Sequence, residues 1–371
     1  LGISDNDWPT EGAGVGDFDS NGFVDVYLAN YESEGQYKKD QLFLNMGSGN
    51  FLDLSDSLDA VLQGEAALAG RGVNPGDFDN DGDLDIYVSN YRLNRNYLWV
   101  NDGEGNFTEE ALVRGVSGEE KEGWWGHTIG SEWADYNNDG NLDLITANLA
   151  HPRYIDISDK TLLYRNSGAP EFIFTDQRAT VGIRFEETHS EPAWGDLNND
   201  GYLDLYLNDV YENRRSFLYV NDQGKSFKDV TYLAGLRYFN GWGVAFADID
   251  NDGDLDILSA GEDIKLFRND TPVTGNWVEF KVTTKNHSDG IGTRLTLYNE
   301  DFLQIREVQG GKGTTNQHAL VQHFGIGSSD PPFTLKIRFP SGREETAVIW
   351  EVNTRFEIQE IIGADLFSNR Y

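Results

Sequence analysis

The stretch GDFDNDGDLD, residues 76–85, sets five aspartates at alternate positions: Asp77, Asp79, Asp81, Asp83 and Asp85. Two carboxylates ~4 Å apart at an effective dielectric of ~20 repel by roughly 4 kcal/mol, so a folded chain keeps such a run only where something offsets the repulsion. The pattern returns as GDFDSNGFVD (16–25), ADYNNDGNLD (134–143), GDLNNDGYLD (195–204) and ADIDNDGDLD (247–256). The first aspartates, Asp17, Asp77, Asp135, Asp196 and Asp248, are spaced by 60, 58, 61 and 52 residues, a repeat of supersecondary size.

Each acidic stretch opens a short apolar or alternating run: VDVYLAN, LDIYVSN, LDLITAN, LDLYLND and LDILSAG. A second run ending in asparagine follows, then in four units a Gly-containing turn and an aromatic-centred strand, as in GEGNFTEEA. Each unit therefore reads as about four short strands with no helical period. One such sheet buries little alone, and ~60 residues in four strands suits a propeller blade better than a solenoid coil. The expectation is an all-β chain: a β-propeller of five counted repeats over residues 1–272, with six or seven blades as the competing count. The fifth unit stops after KLFRND, so ring closure either combines the two chain ends, with LGI at the start as the tail of a unit, or blades are missing at the start. From about Trp277 the acidic loops cease and alternating strands continue (NWVEFKVTT, TRLTLYN, FTLKIRFPSG). Residues 273–371 read as a separate, small β-sandwich-like domain.

Composition sets bounds on function. Acidic residues number 63 against 29 basic, a net charge of −34, while 38% hydrophobic and 13% aromatic content marks a folded scaffold rather than an acidic tail. Such charge argues against nucleic acid or an anionic membrane as a partner and for cations. With no cysteine, neither disulfides nor thiol chemistry contribute. The chain begins at Leu1 and reads as mature or trimmed, and it holds no run of about 18 apolar residues. Asn106, Asn269 and Asn286 are glycosylation sequons, with Pro272 following that at Asn269.

In D-x-[DN]-x-[DN]-G-x-x-D, side-chain oxygens fall at positions 1, 3, 5 and 9, the position 7 carbonyl adds another, and glycine at 6 permits a sharp reversal. The ligand set is Asp17, Asp19, Asn21, Asp25; Asp77, Asp79, Asp81, Asp85; Asp135, Asn137, Asp139, Asp143; Asp196, Asn198, Asp200, Asp204; and Asp248, Asp250, Asp252, Asp256. Phe23, Asp83, Asn141, Tyr202 and Asp254 hold position 7, where only a carbonyl is needed. All-oxygen donors select a hard cation, and a flexible set of six to eight favours calcium over magnesium and disfavours zinc and copper. A metal-free reading as hairpin turns needs one or two such residues, not five. About five calcium ions are expected, and at free calcium ~10 times the dissociation constant each adds about 1.4 kcal/mol, roughly 7 kcal/mol in all. Sites of that affinity need millimolar calcium, which points outside the cytosol.

The loop-strand unit ADIDNDGDLDIL, the preceding GWGVAF and the later N-x-G-x-x-x-F turn resemble FG-GAP or VCBS repeats, the blades of integrin α propellers. The tail is similar to the ASPIC/UnbV domain through NWVEFKV, DGIGTRLTL, REVQGGKG, HFGIG and IRFPSG. That order is the one found in the cartilage acidic protein family and its bacterial relatives. Phe339 stands where the tail usually has tryptophan, Thr314 replaces a common aromatic, and no Cys-rich EGF-like module follows. The resemblance implies a secreted or surface calcium-binding propeller with an adhesion or matrix role, and the departure at the EGF-like module favours a microbial surface or extracellular protein over animal-matrix biology.

Other constellations carry less. QGGKGTT (309–315) lacks phosphate-loop spacing and reads as a β-turn. Of the histidines His127, His151, His189 and His323, none is paired at H-x-x-x-H spacing, and Glu187, His189 and Glu191 in EETHSEP are the sole acid/base grouping noted. No catalytic residue is assigned. Trp8, Trp124, Trp125 and Trp242 precede metal loops; they read as packing for a tapered core or, alternatively, as a glycan-binding face with Trp125 foremost. The functional expectation is a non-enzymatic, calcium-stabilised adhesion or matrix protein, binding proteins or glycans of a surface or copies of itself. A lectin-like module is the alternative, ahead of a polysaccharide-processing enzyme.

Overall fold

The computed structural model describes residues 8–63, 65–272, 275–285, 289–314, 316–360 and 367–370. The first four repeats each form a four-stranded antiparallel sheet in chain order: Thr10–Gly16 to Phe51–Asp53, Ala69–Gly76 to Phe107–Glu109, Thr128–Ala134 to Phe174–Asp176, and His189–Gly195 to Ser226–Asp229. The fifth has three strands, Gly241–Ala247, Asp256–Gly261 and Ile264–Phe267. Each acidic loop links the first strand of a sheet to the second. Three short helical stretches, Ser55–Val61, Ala111–Arg114 and His151–Tyr154, were not expected; one or two turns are too short to print a helical period on the sequence.

The sheets stack face to face as propeller blades, with first strands innermost and packed on one another. Tyr27 and Leu42 of the first sheet bury against Val73, Ile86, Val88 and Trp99 of the second, and Tyr206 and Leu218 of the fourth against Val244, Phe246 and Ile257 of the fifth. Aromatics at the inner-strand ends fill the taper, as where Trp194 stacks on Tyr136 at 6.2 Å. Fully burying a side chain of this size gains about 2 kcal/mol, so each interface outweighs what one sheet could bury alone.

After the fifth sheet ends at Phe267, the second unit begins with strand Asn276–Thr283. Two four-stranded sheets enclose a core of Phe280, Phe324, Phe333, Leu335, Ile337 and Phe356 among others. Asn276–Thr283 pairs in parallel with Thr354–Gln359, the other pairings being antiparallel. Phe339 is buried in this core and fills the place expected for tryptophan.

Between the first and fifth sheets lies a loop of the second unit that sequence reading did not place there. Leu1–Ile3, on which the expected ring closure rests, lie outside the described residues; the loop, residues 310–314 and 316–319, enters the propeller bore from the acidic-loop side. Gly310 bridges Val15 of the first sheet. At its far end, Asn316 Oδ1 accepts the Val244 N–H at 2.9 Å, His318 Nδ1 accepts that of Phe246 at 2.9 Å, and the Ala319 N–H reaches the Phe246 carbonyl. Between them Gly313, at φ +46°, lies so close to Glu191 that a Cβ would sit 1.7 Å from Oε1. Only glycine fits there.

Candidate metal centres

The five loops share one backbone design. The residue at position 4 (Ser20, Asn80, Asn138, Asn199, Asn251) and the glycine at position 6 both have positive φ, from 56° to 62° and from 87° to 116° respectively. These two left-handed residues fold the loop back on its first aspartate. Asp196 accepts the Asp200 N–H at 3.1 Å and the Gly201 N–H at 2.7 Å, and Asp17 and Asp135 repeat this with Asn21 and Gly22, and with Asp139 and Gly140. The position 9 aspartate is held from two sides. Asp25 takes N–H groups from Phe18 and Asn45, Asp85 from Phe78 and Asn101, and Asp204 from Leu197 and Asn221.

Among the described residues, carboxylates converge in three of the five loops. The sets Asp17, Asp19, Asp25; Asp77, Asp79, Asp85; and Asp248, Asp250, Asp256 each bring one oxygen apiece within 4.8 Å of the others. The third and fourth loops carry Asn137 and Asn198 in the middle place. Burial opposes ionisation: Asp25, Asp135 and Asp196 are pushed up to about 7 and Asp79 to about 6, with neighbouring aspartates adding to it. Asp85, Asp143 and Asp204 are raised well above the carboxylate range for the same reason. Asp77 Oδ1 and Asp79 Oδ1 are buried with no hydrogen-bond partner. An all-oxygen, anionic, partly unsatisfied donor set fits a hard divalent cation.

Two features outside the motif hold the loops in register, and sequence reading missed both roles. In sheets two, three and four an asparagine at the end of the third strand ties its own loop to the preceding one: Asn166 donates through Nδ2 to the carbonyls of Leu142 and Phe78, Asn221 to those of Leu203 and Tyr136, and Asn101 to those of Leu84 and Phe18. Position 4 asparagines reach forward. Asn80 donates to the Gly140 carbonyl, Asn138 to that of Gly201, and Asn199 to that of Gly253 and to Asp254 Oδ1. Position 7 side chains are thus not all idle, since Asn141 and Asp254 accept from the neighbouring loop. Recurrence of asparagine at both places was the available signal.

The second unit sits on this loop face. Arg338 donates to Asp77 Oδ2, Arg294 to the Asp77 carbonyl, Arg355 lies 3.4 Å from Asp248 Oδ2, and His323 Nε2 donates to the Gly253 carbonyl at 3.0 Å. Arg306 is buried, and burial lowers it to about 10 although Asp196 and Asp135 pull the other way. Above it Lys312, 2% exposed, donates to Glu132 Oε2 at 2.8 Å and to the Pro192 carbonyl. His318 Nδ1 is occupied as an acceptor, so Nε2 donates to Glu132 Oε1 at 2.9 Å. Burial resists charge on Glu132, but Lys312 and His318 outweigh it and hold the carboxyl below its ordinary range. Glu191, 3.9 Å from Lys312, is instead pushed up to about 8 by burial. The QGGKGTT segment, expected to be a plain β-turn, is this plug.

Glu187, His189 and Glu191 do not form an acid/base group. Glu187 pairs with Arg214 at 2.8 Å, His189 Nδ1 meets Thr161 Oγ1 at 2.7 Å, and Glu191 faces Lys312 and the Thr314 N–H. Burial holds His189 at about 3. Trp124 is exposed and Trp125 half-buried, its backbone N–H on the Leu93 carbonyl, while Trp242 lies at the bore. Asn106 is exposed, Asn269 uses its side-chain amide on the Leu197 carbonyl, and Asn286 lies outside the described residues.

Residues 17–88, 77–146 and 208–259 match the FG-GAP-like repeat family, and residues 283–364 match the ASPIC and UnbV family. Over 369 residues the chain is 26% identical to human cartilage acidic protein 1, covering 91% of this chain and 52% of that protein. The Xenopus tropicalis protein is 25% identical over 91% and 53%. The chain thus spans about half the length of these relatives. An Agrocybe aegerita lectin structure, 16% identical over 69% of this chain and 65% of that one, gives a TM-score of 0.36, too low to compare sites.

Proposed function

From a chain that carries FG-GAP-like repeats and then an ASPIC and UnbV domain, we propose a calcium-binding, non-enzymatic adhesion or matrix protein acting outside the cytosol. The observation that carries the reading is the donor set: five loops of one design, with buried carboxylates raised by desolvation and with Asp77 Oδ1 and Asp79 Oδ1 unpartnered. The side chains at positions 1, 3, 5 and 9 of each loop, with the position 7 carbonyl, would hold the ion. Calcium there supplies the positive charge that lets these carboxylates ionise while buried. The chain's own residues supply the rest. Strand-end asparagines fix each loop to its neighbour, so loading one loop stiffens the next sheet. Arginines of the second unit complete the neutralisation on Asp77 and Asp248.

Likeness to cartilage acidic protein 1 supports the matrix or adhesion role, and the strongly acidic surface suits calcium-bridged contact with other acidic surfaces or with copies of itself. The repeated polar residues are accounted for by the loops, and the His189 grouping by separate structural partners. Equilibrium dialysis with elemental analysis tests this: about five calcium ions per chain, one fewer in Asp204→Asn, with magnesium and zinc bound more weakly. Retention of at most one ion, or preference for zinc, would overturn it.

A further inference from the structure

At the bore end opposite the loops, the chain gathers rings from sheets one, two and five around one cation. Tyr31 follows the second strand of sheet one, Tyr91 ends the second strand of sheet two, and Trp242 lies near the start of the first strand of sheet five, all at that end. Arg71, third in its strand, sets its guanidinium carbon 5.0 Å from the Tyr91 ring centre, 5.6 Å from Tyr31 and 5.9 Å from Trp242. Tyr31 and Tyr91 lie 6.2 Å apart, and the aromatic surface continues from Tyr91 to His127 at 4.7 Å and on to Tyr154 at 5.4 Å. The tip of the plug floors this mouth: Thr314 Oγ1 donates to the Ile129 carbonyl at 2.7 Å, and the Gly313 carbonyl accepts the Val73 N–H.

Two aspects are not explained by packing. Trp242 is 39% exposed, where a ring serving only as core would be covered. Arg71 Nε is buried with no hydrogen-bond partner, although Nη2 reaches Glu11 at 3.3 Å. A donor left unsatisfied at an aromatic mouth costs stability unless something supplies an acceptor.

We propose that this mouth is a saccharide-binding site, in which a pyranose ring stacks on Trp242 and one of its oxygens accepts from Arg71. The C–H face of a sugar is weakly positive and meets the negative face of an aromatic ring. Its hydroxyls match the donor and acceptor that Arg71 and Glu11 place side by side, and charged partners make the stronger bonds. Arg92, donating through Nε to the Tyr31 hydroxyl at 2.9 Å, locks that ring in place. A proline-rich peptide would also use rings and its carbonyls would accept from Arg71, but its prolines carry no N–H to donate to Glu11. The site lies at the far end of the bore from the metal loops, so the inference goes beyond the calcium reading and does not depend on it.

The test uses the full chain in millimolar calcium on a panel of immobilised neutral and uronic-acid oligosaccharides, with a proline-rich peptide as a separate arm. The expected result is retention of at least one saccharide, at least about tenfold weaker for Trp242→Ala and for Arg71→Met, and unchanged for Trp350→Ala, whose ring is exposed on the second unit. Melting curves accompany each variant. If Arg71→Met does not fold, the exposed Trp242 and quenching of wild-type tryptophan fluorescence by the retained sugar decide. No retained saccharide, equal retention by Trp242→Ala, or retention of the proline-rich peptide alone overturns the proposal.

Discussion

Replacing Lys312 by methionine keeps the length and most of the volume of the side chain and deletes one charge at the centre of the molecule. Lys312 is 2% exposed, its ammonium 2.8 Å from Glu132 Oε2 and bonded to the Pro192 carbonyl. Removing one partner of a buried ion pair costs about 3–5 kcal/mol, because the remaining charge is left in low dielectric. His318, 2.9 Å from Glu132 Oε1, retains part of the compensation, while Pro192 loses a donor. We therefore expect a loss of about 4 kcal/mol, which at roughly 2 cal/mol/K of unfolding entropy per residue lowers the melting midpoint by about 5 °C. Urea unfolding in saturating calcium, followed by tryptophan fluorescence, measures it. Lys336→Met is the control: its pair with Glu344 is half exposed and should matter by less than about 0.5 kcal/mol. In a Glu132→Gln background the cost of Lys312→Met should shrink, since no buried charge then awaits it. A Lys312 variant as stable as the Lys336 variant, or a cost unchanged by Glu132→Gln, would refute the reasoning.

Glu191 gives a pH signature of definite sign. Burial lifts it from an ordinary 4.5 to about 8, so between those values the native state keeps a proton that the unfolded chain has released. Its contribution is complete below about pH 4.5, declines as pH rises and is gone above about 8; with calcium saturating, wild type should lose a few kcal/mol relative to Glu191→Gln between pH 5 and 9, and parallel curves would contradict this. Asn199→Ala removes a residue suited to φ +56° and its bonds to Gly253 and Asp254. The expected loss is about 2 kcal/mol by denaturant titration, with Asn199→Gly recovering the backbone part only.

The acidic loops were legible as a design because their information is local: nine residues fix which oxygens can converge, and those of Asp77, Asp79 and Asp85 lie within 4.8 Å of one another. Sheet order was legible too, since short turns leave consecutive strands little choice but to pair. What escaped lies across the chain. Arg338 and Asp77 are 261 residues apart in sequence, and nothing local to either announces the other. Lys312 was passed over for a related reason: its segment reads as a turn and is one, and its meaning comes from Glu132 and Glu191, supplied by two different sheets. Asn166 and its counterparts were visible as a repeated letter, but their role needs the adjacent sheet, where Phe78 offers its carbonyl. Trp242 and Trp125, equivalent in sequence, part in space because one starts an inner strand and the other rides a loop.

Thermal unfolding in millimolar calcium, compared with the same protein after exhaustive chelation, tests the central claim most directly. Five loops each contributing about 1.4 kcal/mol should separate the two midpoints by about 9 °C at the same unfolding entropy, and calcium should restore the higher one. Midpoints that coincide within about 1 °C would mean the clustered aspartates hold no stabilising ion.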